Sequence, residues 1–445
     1  MRAPQAKTHQ LPQTWRFAAA VFAFLTGMAL LPIFAVNANA DDESRVAGVY
    51  EAAGTPVQLS DDATDAFYLG EGLYQSTLPG SSNSGDDSDD KWFNVSIPQG
   101  RKAVISVNAV PLGSAKDDSA SYGTRVGYKN DSCSDKVSGS SSTSSWPDPP
   151  EAEAITIVPE DGCDPTKYRV NISSAGSSFD GEIPVEIVVG FPPLVDGAEA
   201  GPENDRETPD GDDKDKVKVP HTDPKSTPGG LSYDKATEIT PGTVSDTLVP
   251  GETKFYRMNV DWGQRPIAEV EFDKKQTDDS RSGKIFVASP RRVQTSYSSS
   301  ESLDEDLPVT ARAVGTPYVF FRNGEGSSSQ GDAKEAGQWY VMVSLDGSSD
   351  NGMQSEEIEF RLSTALEGDK VDGPEWRQPL KPGPAPTLEP TSNENNSNSG
   401  ESANNASSGN ENSSQSNAVL YVGLGILAII LIAVVAVYFT AVRRQ

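Results

Sequence analysis

The groups in this 445-residue chain that could carry chemistry are few. Histidine occurs only at His9 and His221. A Ser-His-Asp or Cys-His site needs an imidazole titrating near neutrality beside its nucleophile, and a catalytic zinc site usually takes two or three histidines. His9 belongs to an amino-terminal leader and His221 to a Pro/Asp/Lys-rich linker. Neither arrangement is therefore expected inside a folded domain. Cys133 and Cys163 are the two cysteines. An even count on the oxidising side of a membrane points to one disulfide, closing a loop whose Ser138–Ser145 stretch is nearly all serine.

Two further sets of residues could bind without reacting. Asp86, Asp87, Asp89 and Asp90 could gather carboxylate oxygens around Ca²⁺, which takes six to eight hard ligands, although the segment lacks the spacing and glycine of an EF-hand loop. Trp262 sits between Asp261 and Gly263, beside a turn, and Trp146 lies among serines and prolines. Both are candidate exposed contact aromatics, whereas Trp92 and Trp339 fall inside alternating strands, where an aromatic is usually core. Paired carboxylates can hydrolyse glycosides, but among 65 Asp and Glu no pair stands out.

The elements that must position these groups are read from composition and period. The net charge of -28 argues against nucleic acid as a partner. Residues 1–40 have a basic start (Arg2, Lys7, Arg16), an apolar run and Ala38-Asn39-Ala40, the layout of a signal peptide. Residues 418–442 are apolar and uncharged and are followed by Arg443 and Arg444, which predicts one membrane helix with a cytoplasmic tail at 443–445. Between the ends, 41–195 and 231–378 alternate with period 2, 196–230 reads as a linker, and the Pro- then Asn/Ser-rich 379–417 reads as a disordered stalk.

The two alternating regions repeat each other. Thr77-Leu78-Pro79-Gly80 precedes Lys91-Trp92-Phe93, as Thr247-Leu248-Val249-Pro250-Gly251 precedes Lys254-Phe255-Tyr256. Each region closes with a strand pair, Tyr168–Ile172 before Ile183–Val189 and Trp339–Val343 before Ile358–Leu362. Short strands punctuated by Gly, Pro and Asp predict an all-β chain of two tandem antiparallel β-sandwiches. Residues 242–262 and 337–345 resemble the bacterial pre-peptidase C-terminal domain family, β-sandwich appendages of secreted enzymes. The first copy departs from it, with Ser81–Asp90 separating its turn from its aromatic strand. That resemblance implies binding or positioning in the envelope and no chemistry.

Together these features predict a single-pass type I membrane protein with its ectodomain at the cell surface. Its expected role is that of a non-catalytic accessory or binding subunit of a bacterial envelope complex, with an extracellular protein or envelope glycan as partner. The alternatives are an adhesin or glycan-binding module and, from another class, a carboxylate-based hydrolase. Ca²⁺ is the one cofactor the composition suggests.

Overall fold

The computed structural model describes residues 50–388, apart from 81–89, 111–120, 146–147, 177–181, 206–218, 274–281, 296–298, 303–308, 314–315, 326–332 and 347–356. The first sandwich is built from β1 (Thr55–Pro56), β2 (Gly72–Pro79), β3 (Lys91–Val95), β4 (Ala103–Ala109), β5 (Ser121–Asn130), β6 (Ser134–Ser145), β7 (Ala152–Ile157), β8 (Tyr168–Gly176) and β9 (Glu182–Gly190). The second is built from β10 (Lys225–Ser226), β11 (Thr237–Glu238), β12 (Gly242–Leu248), β13 (Thr253–Val260), β14 (Arg265–Phe272), β15 (Ser282–Ala288), β16 (Ser299–Ser302), β17 (Val309–Ala313), β18 (Gly337–Leu345) and β19 (Ile358–Glu367).

The repeat extends to topology. One sheet of the first sandwich runs β1-β2-β9-β4-β7, and its counterpart in the second runs β10-β12-β19-β14-β17. The facing sheets run β3-β8-β5-β6 and β11-β13-β18-β15-β16. Both copies open with a two-residue strand added in parallel to an edge, Thr55↔Tyr74 in one and Lys225↔Val244 in the other. All other strand pairs are antiparallel except the parallel β11–β13 pair.

Alternation fills each core. Ile105 and Val107 meet Phe93, Val95, Val170 and Ile172 in the first sandwich, and Val270 and Phe272 meet Trp339, Val341 and Val343 in the second. The outer faces at the junction are buried as well, which ordinary half-buried strands are not. Val104, Ser106 and Asn108 of β4 and Glu186 and Val188 of β9 point away from the first core, yet all are 3% exposed or less. On the second sandwich, Phe255, Phe286, Ala288, Tyr340 and Met342 form an apolar cluster outside the core, joined by Tyr233 and by Tyr50 from the chain entering the first sandwich. The two sandwiches fall in one compact unit.

After β19 the chain returns to the first sandwich. Leu73 N–H donates to Lys381 O and Gly383 N–H to Leu73 O, while Tyr68 and Thr387 exchange both main-chain bonds at 2.6 and 3.1 Å. Residues 379–388, expected as the start of a stalk, are thus bonded to Leu73 of β2 and to Tyr68 before it. Gly383 is required there, since a Cβ would come within 2.1 Å of the Tyr74 ring.

The membrane expectations are corrected. No helix among the described residues is long and apolar enough to cross a membrane; 3-10 turns occur at Gly197–Ala200 and Phe321–Glu325. The leader at 1–40, the remainder of the stalk, the apolar run at 418–442 and the tail at 443–445 lie outside the described residues. Single-pass topology, a membrane partner and a cell-membrane location therefore find no support among the described residues.

Candidate binding groove

Trp262 lies in the turn after β13, where Gln264 N–H donates to Asp261 O at 3.1 Å and Gly263 takes a φ of 78°. A left-handed φ excludes most side chains, and a Cβ at Gly263 would also meet Asp369 O at 2.4 Å. The chain leaving β19 covers the indole. Val371 N–H donates to Trp262 O at 3.0 Å, and Gly373 lies so close that a Cβ would sit 2.6 Å from the ring. Phe321 packs edge-on at 6.0 Å. Trp262 is only 5% exposed, so the freely exposed contact aromatic expected from its turn position is not what folds.

What forms instead is a groove of about 530 Å³ lined by Trp262, Trp376, Asp261, Asp372, Glu375 and Arg377. Trp376 is 6% exposed and its buried indole N–H has no partner. Asp261 is fixed at the mouth by Lys370 Nζ at 2.6 Å and by Arg377, whose guanidinium donates to it at 3.0 Å. Sequence reading missed Trp376 and Arg377 because they sit in an aperiodic Pro/Gly stretch. The signal available was a tryptophan and an arginine stranded among loop residues.

The other expected sites fall as follows. Cys133 and Cys163 are joined, with Cα atoms 5.3 Å apart. Beside the bridge, Asp164 accepts from Thr166 Oγ1 at 2.7 Å and Thr166 N–H at 2.9 Å, bonds that hold its carboxyl below the usual range. Trp146, Asp86, Asp87 and Asp89 lie outside the described residues. Asp90 accepts a bond from Asn171 Nδ2 at 2.8 Å. Among the described residues one group meets the geometry for a metal, Cys133, Glu160 and Cys163, and its two sulfurs are committed to each other. Trp339 is fully buried, while Trp92 is half-buried under Lys129 Nζ at 5.2 Å.

His221, a linker residue by composition, packs against the second sandwich. Its Nδ1 lies 3.3 Å from Ser363 Oγ and its Nε2 3.2 Å from Glu269 Oε1. The order carboxylate, imidazole, hydroxyl resembles a nucleophilic triad. However, Ser363 is 2% exposed and its Oγ is shared with Thr243 Oγ1 at 2.9 Å. Thr243 and Thr222 also exchange two main-chain-to-hydroxyl bonds at 2.9 Å. A nucleophile needs room for a reacting carbon about 3 Å away. Here the groups latch the incoming chain onto the sheet.

The junction holds the densest buried polar network. Glu186, fully buried, accepts from Tyr50 Oη at 2.7 Å, Ala53 N–H at 2.8 Å, Asn108 Nδ2 at 3.0 Å and the Arg292 guanidinium. Burial works against the Arg292 charge, but Glu186 and the nearby phenols outweigh it and raise its pKa. Burial, with Glu186 adding to it, pushes the Tyr50 phenol well above its ordinary value. A second buried pair joins Arg291 Nε and Glu335 Oε1 at 2.7 Å, and burial raises the Glu335 carboxyl despite Arg291.

No protein-family model and no curated protein matches the chain, which removes the support for the pre-peptidase C-terminal resemblance. Solved structures do align. The tandem CBM22-1–CBM22-2 domain of Paenibacillus barcinonensis Xyn10C is 10% identical, with 75% of this chain and 100% of that chain covered and a TM-score of 0.19. The tandem CBM51 modules of a family 98 glycoside hydrolase from Streptococcus pneumoniae are 14% identical over 66% and 88%, with a TM-score of 0.17. The extracellular domain of ANXUR2 from Arabidopsis thaliana is 10% identical over 68% and 92%, with a TM-score of 0.21. Likenesses at these scores carry no functional argument. The description that stands is an all-β chain of tandem sandwich-like domains.

Proposed function

We propose that this protein is a non-catalytic, adhesin-type binding protein that holds a saccharide in the groove between Trp262 and Trp376. One observation carries the reading: Asp261 is clamped by Lys370 and Arg377 in a groove that two nearly buried indoles also line. A sugar presents apolar C–H faces and a rim of hydroxyls. Its hydroxyl rim suits the fixed carboxylate and guanidinium groups here, with the indoles offering only their edges, since ligand pockets combine an apolar lining with a few convergent polar groups. The role of envelope accessory subunit falls with the membrane topology. With Asp261 committed to two cationic side chains, its oxygens act as oriented acceptors for hydroxyl groups.

The test is a glycan array probed with the full chain, repeated with the Arg377→Ala variant. Selective retention of a saccharide class, lost in the variant, supports the reading. Retention of no saccharide, or retention unchanged by the substitution, contradicts it.

A further inference from the structure

The outward edge of β2 is used in succession by two short extended segments of the same chain. Leu73 exchanges main-chain bonds with Lys381 and Gly383, in parallel orientation. Two residues on, Tyr74 and Gln75 pair in parallel with β1, and Val57 N–H donates to Gln75 O at 2.9 Å. Main-chain groups reach one edge of a strand at every second residue, so Thr77 is next in step. Among the described residues no segment pairs with Thr77 on that side, because the chain leaves β1 for the facing sheet, where Ser60 pairs with Trp92. Pro79, which has no N–H, ends the run.

A cleft of about 680 Å³ lies along this remaining stretch. Leu59 and Leu78 line it, both nearly buried, together with Val57. Its charged lining is Asp61, Glu182 and Lys91; Lys91 donates to Asp61, which leaves Glu182 as the open carboxylate, on a chain of net charge -28. An unpaired strand edge is a template for an incoming strand, and recognition by strand addition takes affinity from main-chain bonds and selectivity from alternate side chains.

We infer that β2 accepts, at Thr77, an extended peptide from a partner as a further parallel segment of its edge. The peptide alternates apolar and basic residues. Its apolar side chain packs over Val57 at the cleft, and its basic side chain faces Glu182. This surface is separate from the groove at Trp262 and does not depend on the saccharide reading.

The experiment titrates the full chain into a fluorescently labelled, end-blocked pentapeptide alternating lysine and valine, at low salt. A matched peptide N-methylated at its central residue removes main-chain donation without touching the protein. The inference predicts saturable binding, weakened tenfold or more by N-methylation, by Thr77→Pro and by Glu182→Lys. Should Thr77→Pro fail to fold, the methylated peptide and Glu182→Lys decide. Absence of binding by the parent peptide, or equal affinity for the methylated one, overturns it. So does displacement of the peptide by a neutral oligosaccharide, which would make the cleft a sugar site.

Discussion

Arg292 donates from its guanidinium to the carboxylate of Glu186 across the junction of the two sandwiches, with both side chains 3% exposed or less. Arg292 does so from a φ of 67°, the one non-glycine left-handed conformation among the described residues. Such a conformation costs about 1–2 kcal/mol in an ordinary residue. The turn after β15, in which Arg292 N–H donates to Ser289 O at 2.8 Å, would accept glycine more readily. The arginine is there for the pair.

Removing one partner of a buried pair leaves the other charge uncompensated and typically costs about 3–5 kcal/mol. Arg292→Ala is expected to lose that much in urea unfolding. Arg292→Gly should lose less, because it relieves the backbone conformation. A loss below about 1 kcal/mol for Arg292→Ala would mean the junction does not hold the sandwiches together.

Reduction of Cys133–Cys163 releases a loop spanning 30 residues, worth about 3–4 kcal/mol in the chain-entropy model. Because the junction couples the sandwiches, the whole transition should move to lower denaturant as a single step. Two separated transitions, with the second sandwich unmoved, would show that the sandwiches unfold independently.

Asp164 gives a pH signature. Its folded carboxyl lies below its unfolded value of about 3.9. The stability it contributes is therefore present above that value and lost as pH falls through the lower folded one. The difference in unfolding midpoint between the native chain and Asp164→Asn should be constant above about pH 5 and shrink toward pH 2. A difference that grows on acidification would reverse the sign of the argument.

The latch at His221 should behave as structure. A fluorophosphonate probe is expected to leave Ser363 unmodified under conditions that label serine hydrolases, whereas His221→Ala should raise amide exchange at Thr222 and Thr243. Stoichiometric labelling of Ser363 would make the Glu269–His221–Ser363 arrangement catalytic.

Much of the fold is legible in the alternation of residues such as Tyr168, Val170 and Ile172, because half-buried strands impose period 2 on any sequence that forms them. The turn signals around Gly80 and Gly251 mark corresponding points of the two copies. What could not be read depends on segments remote in sequence. Ser106, Asn108 and Glu186 look like solvent-facing positions and are buried because the second sandwich covers them. Trp262 has the local context of an exposed turn residue and is covered by Gly373, 111 positions later. The Pro-rich run after Pro379 has no apolar period, yet it is held by main-chain bonds to Leu73 and Tyr68, which composition does not encode. His221 sits in a linker by composition and reaches Glu269 and Ser363 where Thr222 and Thr243 bond to each other.

Isothermal titration of the saccharide retained on the array into the full chain and into Asp261→Ala and Arg377→Ala, with the sugar recovered and analysed afterwards, decides whether the groove holds a sugar without cleaving it. Binding to the native chain, an affinity reduced tenfold or more in each variant, and a ligand recovered intact are expected. Undiminished binding in both variants, or recovery of cleaved sugar, would contradict the saccharide reading.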